Sequence, residues 1–137
     1  MTTSLTYFDV IQPLVEDVQT NDSGGHTPEV HNISALVTFT PSISEAQSKT
    51  MNATVLLRPI QGRIVNGVLC AIDGTVGIEL VANTDALGSL PEPLSYRVDY
   101  SKVQFDSAER SMRSFRFTAP TIATTVNLNA VTRFPVE

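Results

Sequence analysis

Tryptophan is absent from this chain, and cysteine occurs once. A single thiol, Cys70, excludes an internal disulfide and any cysteine-based zinc site. It lies in the apolar run Val68 to Ile72 and reads as a small buried hydrophobe. Charge is also scarce: charged residues make up 17% of the chain, against roughly 25% in ordinary soluble proteins. What charge exists is mainly negative, with nine Lys and Arg against fourteen Asp and Glu and a formal net charge of −5. That balance argues against nucleic acid, whose phosphates require clustered cations. The local basic excess at Arg110, Arg113 and Arg116 has Asp106 and Glu109 beside it. Apolar runs reach only about five residues, far short of the ~20 needed to span a bilayer, so no membrane insertion is expected. Residues 1–4 lack the basic start and apolar segment of a secretory signal. Synthesis in a cytoplasm, in soluble form, is the expectation.

Hydrophobic residues make up 42% of the 137 positions, enough to fill one core, and no linker divides the chain. A single β-sandwich domain over residues 1–137 is expected, with an N-terminal strand or arm over 1–32 that includes a flexible loop at 20–28. The most informative stretch runs from Arg58 to Asn83, where three turn signals separate short apolar runs. Its centre is Asn66-Gly67, the pair that best tolerates the two positive φ angles of a type I′ hairpin. Ile64-Val65 and Val68-Leu69 therefore pair as antiparallel strands.

Elsewhere, Leu5 to Ile11 reads as a first strand stopped by Pro13. Leu14 to Val18 reads as a continuing edge strand or a short helical turn, and Ile33 to Thr40 as a clear strand. Residues 42–52 read as a long loop or one helical turn, with the loop favoured, leading into a strand at Ala53 to Arg58. Gly77 to Ala82 forms the next strand. Leu94, Tyr96, Val98 and Tyr100 alternate with Ser95, Arg97 and Asp99, a period of two that marks one buried and one wet face. Val103 and Phe105 shift that phase, which predicts a bulge near Ser101-Lys102. Phe115 and Phe117 share a face of a further strand, and Val126 to Phe134 supplies a short closing strand. About eight or nine short strands, with prolines at their ends, predict an all-β, antiparallel β-sandwich of Ig-like or jelly-roll-like form.

Catalytic chemistry is hard to assemble from these residues. His26 and His31, with Asp22 and Glu29 nearby, would form a metal site only if the loop folded back; solvated loop histidines are the ordinary reading. No Gly-x-Ser-x-Gly elbow occurs. Asp73, Glu79, Asp99 and Asp106 are scattered, Asp73 as a turn former and Glu79 and Asp99 on wet strand faces. With no tryptophan and three tyrosines, platforms for stacking sugars are few. Gly62 and Gly67 are hairpin glycines, with no P-loop lysine after them. No catalytic, cofactor or metal residue is assigned, and the chain is not expected to be an enzyme or to carry a cofactor.

The order of motifs Val37-Thr-Phe-Thr-Pro41, Leu57-Arg-Pro-Ile-Gln-Gly-Arg-Ile64, Asn66-Gly-Val-Leu69, Gly77-Ile-Glu-Leu-Val-Ala-Asn-Thr84, Leu94-Ser-Tyr-Arg-Val98, Phe115-Arg-Phe-Thr-Ala-Pro120 and Val126-Asn-Leu128 is distinctive. Over residues 33–134 it resembles a small β domain of minor tail proteins in tailed bacteriophages that infect Mycobacterium, Gordonia and related actinobacteria. The resemblance implies a structural virion protein at the tail tip, baseplate or tail fibre attachment, with other virion proteins as partners and a host-facing surface. It also implies a homotrimer or ring, because phage tails have threefold and sixfold symmetry. Such modules often continue into a fibre or enzymatic segment. With the sequence ending at Glu137, a standalone adaptor or ornament is expected rather than a receptor-binding tip. Alternative readings are a capsid decoration (head cement) protein and a module binding a host cell-surface glycan. Tyr7, Phe8 and Val10 of the first strand are the candidate subunit contacts, through strand addition to a neighbouring sheet; closing the chain's own sandwich is the competing role for that strand.

Overall fold

The computed structural model describes residues 5–19, 26–29, 33–88, 90, 92–105 and 108–136. Alternating apolar and polar residues drive more than half of them into short strands. In chain order these are β1 (Tyr7–Ile11), β2 (Glu16–Gln19), β3 (His26–Glu29), β4 (Ile33–Pro41), β5 (Glu45–Ser48), β6 (Ala53–Leu56) and β7 (Ile60–Val65). They continue as β8 (Val68–Ala71), β9 (Ile78–Val81), β10 (Ser95–Phe105), β11 (Ala108–Glu109), β12 (Phe115–Thr118) and β13 (Thr125–Asn127). Among the described residues, one 3-10 turn at Asp85–Leu87 interrupts the pattern. No helix among the described residues is long and apolar enough to cross a membrane.

Two sheets form a largely antiparallel sandwich. The larger has strand order β11-β10-β4-β7-β8, with β12 also on β10; the smaller has order β13-β1-β9. Phe8 and Val10 of β1, with Ile78 and Leu80 of β9, face Val37, Phe39, Ile64, Leu69, Tyr96, Val98, Phe115 and Phe117 of the larger sheet, and all are buried. The rings lock the layers: Phe8 meets Tyr96 edge-on at 6.0 Å and Phe117 at 6.2 Å, while Tyr96 stacks on Phe117 at 6.0 Å. Gly62 of β7 lets the sheets approach closely. A methyl group there would lie 2.5 Å from Ile78 Cδ1 and 2.8 Å from the Cys70 carbonyl oxygen.

The Asn66-Gly67 turn has the required geometry, with φ of 51° and 78°, and sets Val65 opposite Val68. The bulge also falls where the phase shift places it: the β10–β4 register slips between Ser101 and Gln104, and Lys102 has φ of 52°.

Four expectations need correction. Residues 42–52, expected to be a loop, supply the first strand and turn of a hairpin, because β5 and β6 pair from Glu45↔Leu56 to Ser48↔Ala53. Ala46 and Ser48 alternate into the interior with too few apolar neighbours in sequence to reveal it. The expected loop at 20–28 ends in strand: β3 pairs with β2, and Pro28 sits inside β3 opposite Asp17. A proline is tolerated there because a two-stranded ribbon leaves one N–H side unpaired. Residues 20–25 lie outside the described residues. The closing segment is β13 plus an isolated bridge between Phe134 and Arg116, not one strand. Finally, β13 runs parallel to β1, with Asp9 opposite Thr125, so the smaller sheet is mixed rather than purely antiparallel.

Candidate functional surface

The residues considered for chemistry are not brought together. Asp73 accepts a hydrogen bond from the Thr75 N–H at 3.0 Å, a turn contact that holds its carboxyl below the usual carboxylate range. Glu79 is exposed on the smaller sheet, while Asp99 lies on the larger one, opposite the buried side of β10. Asp106, Asp22 and His31 lie outside the described residues, and His26 falls in β3. Among the described residues there is no group of three or more His, Cys, Asp or Glu placed to hold a metal ion.

The tyrosines are turned to internal work. Tyr96 donates its hydroxyl to the Val81 carbonyl at 2.8 Å, and burial pushes its pKa up to about 12. The Ala82 N–H donates to Thr6 on the β1 side, so the Val81 carbonyl points to the other, outer edge of β9. The Tyr96 hydroxyl therefore bridges the two sheets by capping an acceptor at a strand edge. Tyr100 donates to Gln12 Oε1 at 2.6 Å, and burial raises its pKa too. Gln12, only 2% exposed, is held in turn by Asn129 at 3.4 Å, and Asn129 donates to the Pro13 carbonyl at 2.8 Å. Sequence periodicity places both tyrosines inward but gives no sign of these polar ties, because their partners lie 15 and 88 residues away.

The first-strand contacts divide. Phe8 and Val10 are 1% and 0% exposed and belong to the core, so neither offers a subunit contact. β1 lies between β13 and β9, both edges paired, which removes strand addition as its mode of contact. Tyr7 alone faces outward, 48% exposed. It borders an apolar cleft of about 200 Å³ with Leu5, Leu56, Ile60, Leu80 and Tyr96.

The outer faces of the two sheets carry opposite charge. On the smaller sheet Asp9 of β1 stands directly opposite Glu79 of β9, and β1, β9 and β13 contain no cation. On the larger sheet Arg97 of β10 stands directly opposite Arg116 of β12, with Arg63 of β7 on the same face. Asp99 is the one acid on β7, β10 and β12, and Glu109 of β11 stands on the same face opposite Gln104. Asp99 takes Arg97 Nε on both oxygens, at 3.1 and 3.0 Å, and the Ser114 hydroxyl at 2.7 Å. Nearby, Arg133 lies 4.0 Å above the Phe115 ring and donates to the Leu128 carbonyl at 3.0 Å. In the sequence, Glu79 and Asp99 are legible as wet-face residues. Their pairing with Asp9 and the arginines becomes visible only once strand register is known.

Comparison with family models, curated proteins and solved structures returns no match to this chain.

Proposed function

We propose that this chain is a structural virion protein of a tailed bacteriophage, a minor tail protein at the tail tip, baseplate or fibre attachment. It acts by packing against other virion proteins rather than by catalysis, and its location is the virion. The carrying observation is the ordered run of seven motifs over residues 33–134, whose resemblance is to tail-protein β domains. The surface chemistry supports the reading. Tyr7, Leu56 and Ile60 stand exposed around one cleft, and Val15, Val76 and Ile122 are more than half exposed elsewhere. Apolar side chains left at the surface of a low-charge sandwich favour burial against neighbours.

The test is the position and copy number of this chain in intact particles, by cryo-electron microscopy and quantitative mass spectrometry. Association with assembled tails at tens of copies or fewer is expected. Hundreds of copies on the shell would instead mean capsid decoration, and recovery only with tail-less heads would overturn the tail reading. A host-glycan role through Tyr96 and Tyr100 has less support, since both hydroxyls already bond within the chain.

A further inference from the structure

The two like-charged pairs are unusual because each works against the fold that holds it. Side chains directly opposite on neighbouring strands lie about 5 Å apart at Cβ, where like charges repel. Asp9–Glu79 and Arg97–Arg116 both occupy such positions. Asp9 and Glu79 are exposed, and the Arg97 side chain is 38% exposed. Arg58 stands at the rim of the Tyr7 cleft with Glu79, but no ion pair joins them. Asp99 compensates Arg97; among the described residues, no carboxylate forms an ion pair with Arg116. Because the pairs sit on outer faces of opposite sheets, the sandwich carries an acidic side and an arginine side.

We propose that the chain associates with itself head to tail, the Asp9–Glu79 face of one copy docking on the Arg97–Arg116 face of the next. Charge complementarity selects a second copy in this orientation. A twofold dimer through either face would oppose carboxylates to carboxylates or arginines to arginines, so only the heterologous contact brings opposite signs together. Tyr7, exposed beside Asp9 on the acidic face, provides apolar area for the same contact. Since the faces lie on opposite sides of the sandwich, every added copy presents a fresh acidic and a fresh arginine face. The product is a ring where the rotation closes and a stack where it does not. This deepens the assembly reading above by naming one partner, a second copy, and the surfaces it uses.

Sedimentation velocity on the purified full chain tests the contact directly. The wild type is expected to form species larger than a dimer in about 50 mM salt and to dissociate at about 500 mM, as screening shortens electrostatic reach. Asp9→Arg with Glu79→Arg, or Arg97→Glu with Arg116→Glu, should each sediment as a monomer, and an equimolar mixture of the two double variants should associate again. The neutral variants Asp9→Asn with Glu79→Gln guard against misfolding. They relieve the repulsion, so thermal stability should hold or rise while self-association weakens at least about tenfold. A wild type that stays monomeric at low salt, assembly indifferent to salt, or variants that assemble like the wild type would each overturn the proposal. A monomer that still localises to tails would overturn this contact while leaving the virion reading intact.

Discussion

Tyr96 ties the two sheets together through both its ring and its hydroxyl. Its ring stacks on Phe117 and meets Phe8, and its hydroxyl reaches across the interior to Val81. The same burial makes it a reporter of folding at alkaline pH. The folded state holds the phenolic proton more tightly than the unfolded chain, so the contribution is whole below the unfolded pKa of about 10 and disappears as pH rises toward about 12. Tyr100 acts in the same sense. Urea unfolding should therefore show stability falling by on the order of 2 kcal/mol between about pH 10 and pH 12. In Tyr96→Phe most of that slope should vanish, at the cost of an uncapped Val81 carbonyl. An unchanged slope in the variant would show that other groups carry the alkaline transition.

Among the elements, the β7–β8 hairpin is the most locally determined. Its turn supplies tertiary contacts as well: the Gly67 N–H donates to the Ile33 carbonyl at 3.1 Å, and the Gly67 carbonyl accepts from Leu14 at 2.8 Å. Gly67→Ala keeps those groups but forces a side chain onto φ of 78°, which should destabilise by about 1–2 kcal/mol in denaturant titrations. No loss there would mean that the turn rearranges freely. This hairpin, the alternation along β10 and the bulge at Lys102 were all legible in the sequence, because each follows from neighbours within a few residues. The β5–β6 hairpin was not, since Glu45, Gln47 and Lys49 make its segment look like solvated loop. Nor was the place of β1. The Phe8 and Val10 alternation reveals a strand, but whether its edges are paired depends on β9 and β13, some 70 and 116 residues away. The charged faces were hidden for the same reason: Arg97 and Arg116 become neighbours only through register.

At the scale of the whole molecule, one hydrophobic cluster runs through both sheets and includes Leu128, fully buried beyond β13. A continuous core predicts one cooperative unfolding transition. Phe39→Ala in the larger sheet and Phe8→Ala in the smaller should each cost about 3–5 kcal/mol. Both should shift the near- and far-ultraviolet circular dichroism transitions together. Transitions that separate in either variant would mean that the sheets unfold independently.

The parallel pairing of β1 with β13 imposes an order of events on a growing polypeptide. β1 leaves the ribosome before both of its partner strands, yet one of its two flanks stays bare until the strand 116 residues later has been made. Translation therefore leaves a half-finished three-stranded layer exposed until its last member arrives, and closing so distant a pair is the slow kind of step that limits folding rate. Nascent chains halted before Thr125 should accordingly be prey to proteases and to one another, and release of β13 is the moment at which that vulnerability ends.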